Sequence, residues 1–361
     1  MPDLTAPEGG GDSRFVAAAA ATGVLPRRRA LAAFLDACGW GGAVPAPLAG
    51  DASFRSYCRL RDGGRGAIVM DAPPPQEDVG PYVRVAAMLR GLGLSAPEVM
   101  AEDHAHGFLL IEDFGDGTYT RLLAGGADEP ALYGLAVDTL VAVQRRIEAA
   151  DAAPDLPPYD AARLLGEAAL LVDWYMPAVL GAPVADDRRE EYLALWRAVL
   201  PQATAPIRPT LVLRDFHIDN LMLLPDRPGV RRCGLLDFQD AVCGAPAYDL
   251  VSLLRDARRD VAETLRQAMT ARYLAAFPTL DRASFQRSAS ILAVQRNCKI
   301  LGIFTRLWRR DGKPGYLAHI PRLWRLIEED LRHPALAPVG RWLDRYLPPG
   351  ARGVPDPRSL A

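Results

Sequence analysis

The 361-residue chain has almost no lysine. Of its 42 basic residues only Lys299 and Lys313 are lysines, and the other 40 are arginines. No lysine is available among the first 298 residues. Any phosphate bound by that part of the chain must therefore depend on arginine, backbone N–H groups or a metal ion.

The sequence also lacks long apolar runs and a strong charge of either sign. No stretch of 18 uncharged apolar residues occurs, which argues against a membrane span. The net charge of −2 argues against a general binder of nucleic acids or anionic membranes. Five scattered cysteines without CxxC spacing are typical of reduced thiols in a cytoplasmic protein and exclude a zinc site of the usual spacing.

The N-terminal region does not have the order of a secretory signal. Its apolar stretch precedes the arginine cluster at 27–29, whereas a signal has its positive residues first. Because Pro2, Glu8, the glycines at 9–11 and Asp12 suit disorder, we predict a flexible tail over residues 1–27. The signatures of P-loop proteins, zinc proteases and serine hydrolases are absent as well.

Hydrophobic periodicity predicts two regions of different character. Strand patterns at 54–60, 67–71, 99–101 and 108–111, with helices at 28–38 and 79–92, occupy the first third. Helical patterns follow at 118–124, 130–149, 160–177, 186–200, 247–259, 261–276, 282–311 and 316–332, interrupted by strand segments at 210–224 and 232–239. The predicted fold class is α+β, with a sheet-rich N-lobe over 28–115, a mostly helical C-lobe over 116–361 and a cleft between the lobes. The hinge is predicted at 112–116.

The most informative residues lie in the strand segments of the second region. Asp215 and Asn220 stand five residues apart after an apolar strand, and Asp237 follows the next apolar strand. A base for an attacking hydroxyl, together with hard oxygen ligands for Mg²⁺, is what phosphoryl transfer from a nucleotide requires. The structural alternative is that all three are polar loop residues that form turn hydrogen bonds.

These segments resemble the catalytic and metal-binding loops of the aminoglycoside phosphotransferase family, which is similar in fold to protein kinases. The resemblance spans roughly residues 30–335. Within the family, the sequence is most similar to the bacterial kinases that phosphorylate N-acetylmuramate and N-acetylglucosamine at the anomeric hydroxyl. Four segments carry this closer resemblance: 50–55, 69–74, 235–241 and 295–304.

The resemblance implies roles for individual residues. Asp215 would be the catalytic base, and the metal ligands would be Asn220 and Asp237. The backbone of Glu112 and Phe114 would bind the adenine of ATP. The residues that cover its phosphates would be Ser53, Phe54 and Arg55. Asp249 would brace the catalytic loop.

Two departures from the family pattern are visible. Leu213 stands where a histidine is common, two residues before the base. The strand that normally supplies a phosphate-binding lysine has no cation between Ala67 and Asp71. Arg55 or Arg59 could replace that lysine, although both could equally be solvent-facing strand arginines.

Several residues are candidates for the acceptor site. His217 lies inside the catalytic loop, and Glu167 lies on a helix of the C-lobe. If the acceptor is N-acetylmuramate, its lactyl carboxylate needs a cation, for which Arg214, Arg296 and Lys299 are candidates. For each of the five, an ordinary structural role is the alternative.

The predicted function is ATP- and Mg²⁺-dependent phosphorylation of the C1 hydroxyl of an N-acetylated amino sugar, in the recycling of cell-wall sugars. A small-molecule substrate is expected, without nucleic acid, membrane or an obligate protein partner. One alternative is phosphorylation of another alcohol, such as an aminoglycoside, choline or a homoserine-like compound. A catalytically weak, kinase-like binding module is the other, because of the missing lysine.

Overall fold

A computed structural model describes residues 26–48, 54–151, 154–204 and 208–356. The backbone forms two compact units. The first contains the described residues up to Val83 together with Glu98–Asp113. The second contains Arg84–Pro97 and the described residues from Phe114 onward. Most of the predicted tail, and Ser53 of the predicted phosphate-binding segment, lie outside the described residues.

The first unit is built on a five-stranded antiparallel sheet. Its strands are β1 (Ala46–Pro47), β2 (Ser56–Asp62), β3 (Arg65–Asp71), β4 (Val99–Asp103) and β5 (Phe108–Glu112), in the order β1-β2-β3-β5-β4. The β2–β3 register pairs Cys58 with Val69, and Val69 in turn faces Leu110 of β5. Helix α1 (26–37) contributes Leu35 to a core that also contains Leu60 and Val69. Helix α2 (Gly80–Gly91) passes from the first unit into the second.

The second unit is mainly helical. Its helices are α3 (Tyr119–Ala124), α4 (Glu129–Ala149), α5 (Ala161–Ala168), α6 (Met176–Leu180), α7 (Asp186–Val199), α8 (Pro201–Thr204), α9 (Ala247–Leu254), α10 (Glu263–Ala275), α11 (Arg282–Asp311), α12 (Ile320–Asp330) and α13 (Ala337–Tyr346). Four short strands, β6 (Thr210–Val212), β7 (Leu221–Leu223), β8 (Cys233–Leu235) and β9 (Val242–Gly244), pair antiparallel as β6–β9 and β7–β8. The predicted α+β class is confirmed. No helix within the described ranges is both long and apolar enough to span a membrane.

Helix α11 is the longest element, and its sequence sets both of its ends. The side chain of Asp281 caps the first turn by accepting hydrogen bonds from the N–H groups of Ala283 and Ser284, both at 3.2 Å. Gly312 ends the helix in the left-handed conformation, with φ at 65°. The predicted helix over 282–311 therefore has the observed bounds.

The predicted helix over 160–177 is wrong at its C-terminal end. Helix α5 is followed by a π-helical turn over Leu171–Tyr175 and then by α6, which contains Pro177 in its first turn. Proline is tolerated there because the first N–H groups of a helix have no intrahelical partner. The chain instead leaves the helix at Gly181, with φ at 73°. Helix α13 was not predicted.

Candidate active site

The loop before Asp215 is held in an unusual backbone conformation. Arg214 has a φ of 69°, in the left-handed region that residues other than glycine rarely adopt. Asp249, in the first turn of α9, accepts hydrogen bonds from the N–H groups of Leu213 at 2.6 Å and Arg214 at 2.9 Å. Ser252 donates its hydroxyl to the Arg214 carbonyl at 3.2 Å. The predicted bracing role of Asp249 is confirmed by these contacts.

Asp215, Asn220 and Asp237 converge within the second unit. The side-chain amide of Asn220 donates to the Asp215 carbonyl oxygen at 3.0 Å and to Asp237 Oδ2 at 3.4 Å. Gln239 donates its amide to Asp237 Oδ1 at 2.7 Å. The β7–β8 hairpin brings the two loops together because Asn220 precedes β7 and Asp237 follows β8.

The donor chemistry of this group fits Mg²⁺. Asp237 offers a carboxylate and Asn220 an amide oxygen, both hard ligands of the kind that magnesium prefers. The bond from Asn220 Nδ2 to the Asp215 carbonyl fixes the amide so that its oxygen points away from that carbonyl. Two protein oxygens are sufficient for a magnesium ion that also binds nucleotide phosphates. The metal-binding roles themselves remain predictions.

The Asp215 carboxyl is partly buried in a positively charged environment. Burial alone raises its pKa, but nearby cations, Lys299 foremost, outweigh that effect and hold the pKa below its ordinary value. Arg296 and Arg214 act in the same direction. Asp215 is consequently ionised at neutral pH, which is the form that a general base needs.

Glu167 is the centre of a buried hydrogen-bond and ion-pair network beside this carboxylate. It accepts hydrogen bonds from the Tyr159 hydroxyl and from the Arg214 guanidinium. The ammonium group of Lys299 lies 3.2 Å from Glu167 Oε1, and Gln295 Nε2 lies 3.4 Å from Oε2. Burial raises the pKa of Glu167, and the two cations more than reverse that shift. Its oxygens therefore already bind protein donors, and a sugar contact by Glu167 remains a prediction.

His217 and Arg296 are both buried near Asp215. His217 is 5% exposed, and burial lowers its pKa, so the imidazole is neutral at pH 7. Its Nε2 lies 3.3 Å from the side-chain nitrogen of Asn220. Arg296 is 4% exposed, and its charge contributes to the low pKa of Asp215. Their predicted contacts with an acceptor are not tested by this geometry.

The predicted nucleotide-binding residues before Phe114 lie in the first unit. Glu77 forms an ion pair with Arg55 at 3.3 Å and accepts from the Phe54 N–H at 3.2 Å. Arg59 pairs instead with Asp113 at 2.9 Å. An acidic partner therefore exists for each arginine, although α2 itself has no acidic residue.

The two predicted hinge residues have different environments. The Glu112 N–H donates to the Glu98 carbonyl at 2.9 Å, within the sheet unit. The ring of Phe114, in the second unit, lies 5.0 Å from the Arg227 guanidinium carbon. The role of both backbones in binding adenine remains a prediction.

Sequence reasoning missed three residues that organise the site. Gln239 follows Asp237 by two residues, and the short spacing was the only available signal. Tyr159 reaches Glu167 from eight positions earlier in the chain, whereas Gln295 reaches it across 128 positions. No local pattern connects residues that are separated by more than 100 positions.

Comparisons with known proteins give a consistent result. Residues 45–285 match the phosphotransferase enzyme family. An N-acetylmuramate/N-acetylglucosamine kinase of Caulobacter vibrioides is 38% identical over 354 residues, with 89% of this chain and 97% of that protein covered. A kinase of the same name from Pseudomonas aeruginosa is 39% identical over 349 residues, with coverage of 90% and 98%.

Solved structures resemble the fold at lower identity. A choline/ethanolamine kinase family protein from Mesorhizobium loti has a TM-score of 0.56 at 13% identity, covering 88% of this chain and 99% of that chain. A GDP complex of aminoglycoside 2'-phosphotransferase-IIIa has a TM-score of 0.52 at 17% identity, with coverage of 80% and 92%. At these identities the likeness concerns the fold alone.

Proposed function

This chain belongs to the phosphotransferase enzyme family, and on that premise we propose that it transfers the γ-phosphoryl group of ATP to the anomeric hydroxyl of N-acetylmuramate and N-acetylglucosamine. The product would be an amino-sugar 1-phosphate, as expected for cell-wall sugar recycling. Support for this acceptor class comes from the named relatives, which are 38–39% identical over nearly their whole length.

The observation that carries the proposal is the grouping of Asp215, Asn220 and Asp237. Asp215 is ionised and would accept the proton of the C1 hydroxyl, which is more acidic than an ordinary alcohol. Asn220 and Asp237 would hold Mg²⁺, which when bound neutralises charge on the β- and γ-phosphates. Positioning and charge neutralisation provide most of the rate in this type of reaction.

We assign the phosphate-binding role of the missing lysine to an arginine. We place Arg55 nearest to the phosphates because it belongs to the predicted phosphate-covering segment, where an ion pair with Glu77 holds its side chain. A guanidinium can bind phosphate through two parallel hydrogen bonds. The adenine is assigned to the backbone of Glu112 and Phe114, and the remaining phosphate contacts to Ser53 and Phe54.

The direct test is product analysis. Purified protein, ATP and Mg²⁺ are incubated with each sugar, and phosphorus and proton NMR identify the product and the phosphorylated position. We expect a phosphate at C1 with either sugar, and no product with Asp215→Ala. Phosphorylation of choline, an aminoglycoside or homoserine instead would replace the proposed acceptor. Inactivity of the wild-type protein with every acceptor would favour a binding module.

A further inference from the structure

One turn of α11 carries an unusual concentration of buried polar atoms without partners. These atoms are Gln295 Oε1, Arg296 Nη1 and both amide atoms of Asn297. Gln295 and Asn297 are fully buried, and Arg296 is 4% exposed. Buried polar atoms nearly always have a hydrogen-bond partner, so an orphaned group in a native fold requires an explanation.

Arg296 is the most costly member of this set because it carries a charge. Burial of an unpaired ion costs several kcal/mol, and the cost falls when an anion binds the ion with good hydrogen-bond geometry. Among the described residues, none forms a hydrogen bond, ion pair or aromatic contact with Arg296. The guanidinium is therefore buried without a direct ion pair, and its charge acts on the Asp215 carboxyl only at longer range.

The other two cations proposed for an acceptor carboxylate are in a different situation. Arg214 and Lys299 both pair with Glu167, which compensates part of their charge. Arg296 lies one turn before Lys299, so the two side chains project from the same side of α11. The influence of Arg296 on the Asp215 carboxyl places its charge close to the proposed base.

We propose that Arg296 is the residue that binds the carboxylate of an acidic amino-sugar acceptor. This inference rests on the proposed function and adds a specificity determinant to it. N-acetylmuramate carries a lactyl ether with a carboxylate that N-acetylglucosamine lacks, whereas the reacting hydroxyl is the same in both. A guanidinium matches the planar carboxylate through two parallel hydrogen bonds. Arg296 thus contributes to binding of the acid and is dispensable for binding of the neutral sugar.

The two sugars make a direct test of Arg296, because the neutral sugar reports whether each variant is folded and active. Arg296→Gln removes the charge, Arg296→Lys retains it, and Arg310→Gln removes an exposed charge from the end of the same helix as a control. For each variant kcat and KM are measured with both acceptors, and binding of each sugar is measured by calorimetry without ATP.

We expect Arg296→Gln to lower kcat/KM for N-acetylmuramate on the order of a hundredfold, mainly through KM. With N-acetylglucosamine the loss should be smaller by at least about tenfold, since only the effect of Arg296 on the pKa of Asp215 is removed and no charged contact with the sugar is lost. Arg296→Lys should recover part of the loss, and Arg310→Gln should resemble the wild type with both sugars.

Equal losses with both sugars would overturn the proposal, because they would place Arg296 against the phosphoryl group or the base. Unchanged kinetics with N-acetylmuramate would overturn it as well. If the wild-type protein phosphorylates neither sugar, the proposed function fails and calorimetry decides the role of Arg296. Binding of the acid by the wild type and not by Arg296→Gln then supports the carboxylate site, and any other binding result refutes it.

Discussion

Replacement of Asp249 by asparagine should reduce the rate at high pH while leaving the fold intact. The carboxylate of Asp249 accepts the N–H groups of Leu213 and Arg214, and thereby holds the left-handed residue before the proposed base. Asparagine has one acceptor oxygen, and its NH₂ group would face the second N–H. One hydrogen bond to a charged group is lost, which is worth about 1.5–3 kcal/mol. At 1.36 kcal/mol per factor of ten, kcat should fall about 10- to 150-fold if the loop geometry carries the whole effect.

The loss should depend on pH because the wild-type group titrates near neutrality. Burial raises the pKa of Asp249 to about 7, against the opposing effect of its two N–H partners. Above this value the ionised form accepts both bonds, and below it the protonated form resembles asparagine. The ratio of wild-type to Asp249→Asn kcat should therefore be large at pH 8.5 and approach unity near pH 5.5. Asp215 cannot cause this change, since its pKa lies below its ordinary value.

Stability should show the opposite pH dependence. A carboxyl group whose pKa is raised on folding stabilises the protein below its unfolded pKa, and that contribution is lost as the pH rises through the folded pKa. For Asp249 this interval runs from an ordinary value of 3.8 to about 7. Thermal unfolding followed by circular dichroism should therefore show that the stability of the wild type decreases between these pH values. The stability of Asp249→Asn should decrease less over the same interval, because asparagine does not titrate.

Asp330→Asn is the matched control for this experiment. Burial also raises the pKa of Asp330 to about 7, but its carboxylate binds Arg255 at 2.8 Å, on α12 and away from the hydrogen bonds of the catalytic loop. Its kcat ratio to wild type should be independent of pH. A constant ratio for Asp249→Asn between pH 5.5 and 8.5 would refute the assigned link between its ionisation and the loop.

Three further substitutions and one control variant test other parts of the second unit. Glu167→Gln leaves Arg214 and Lys299 without their shared carboxylate, which should lower the pKa of Asp215 further. The acidic limb of the kcat profile should then move to lower pH, and kcat should fall about tenfold. An unchanged pH profile would contradict this. Asp237→Asn should raise the Mg²⁺ concentration for half-maximal rate about tenfold or more, as measured by magnesium titration, because a charged ligand is lost; an unchanged requirement would exclude Asp237 as a ligand. Gly302→Ala should destabilise the fold by about 1–3 kcal/mol in urea unfolding, since the new Cβ would meet the Leu170 carbonyl oxygen at 2.4 Å. Gly166→Ala, which meets nothing within 4 Å, should not be destabilising.

The sequence was sufficient for most of the elements and for the three residues that the structure groups around Asn220. Helix α11 was predicted with its observed bounds from its periodicity, and the structure shows a capping aspartate and a terminal glycine at those ends. Asp215, Asn220 and Asp237 were recognisable because each follows or precedes a short apolar strand. The end of α5 was mispredicted because proline was taken as a stop, whereas the π-helical turn places Pro177 in a first turn.

The electrostatic partners could not be predicted, because they depend on tertiary contacts. Glu167 meets Arg214 and Lys299 across 47 and 132 positions of the chain, and neither spacing produces a periodic signal. The left-handed backbone conformation of Arg214 could not be predicted either, because it is visible only in the folded loop. A sequence identifies which charges are present, whereas the fold decides which of them neutralise one another.

The three cations near Asp215 differ in whether a protein carboxylate pairs with them directly. Arg214 is fixed by its backbone contacts with Asp249 and by its side-chain contact with Glu167, so it is already committed to the loop. Lys299 shares Glu167 and dominates the charge effect that keeps Asp215 ionised. Arg296 has the same sign and is also buried, but it forms no direct ion pair within the described part of the chain. Since a buried charge without a directly hydrogen-bonded anion is costly, the partner that we propose for Arg296 is an anion on the substrate. The acceptor-binding surface would then distinguish acidic from neutral sugars through one side chain, while both sugars use the same base and metal ligands.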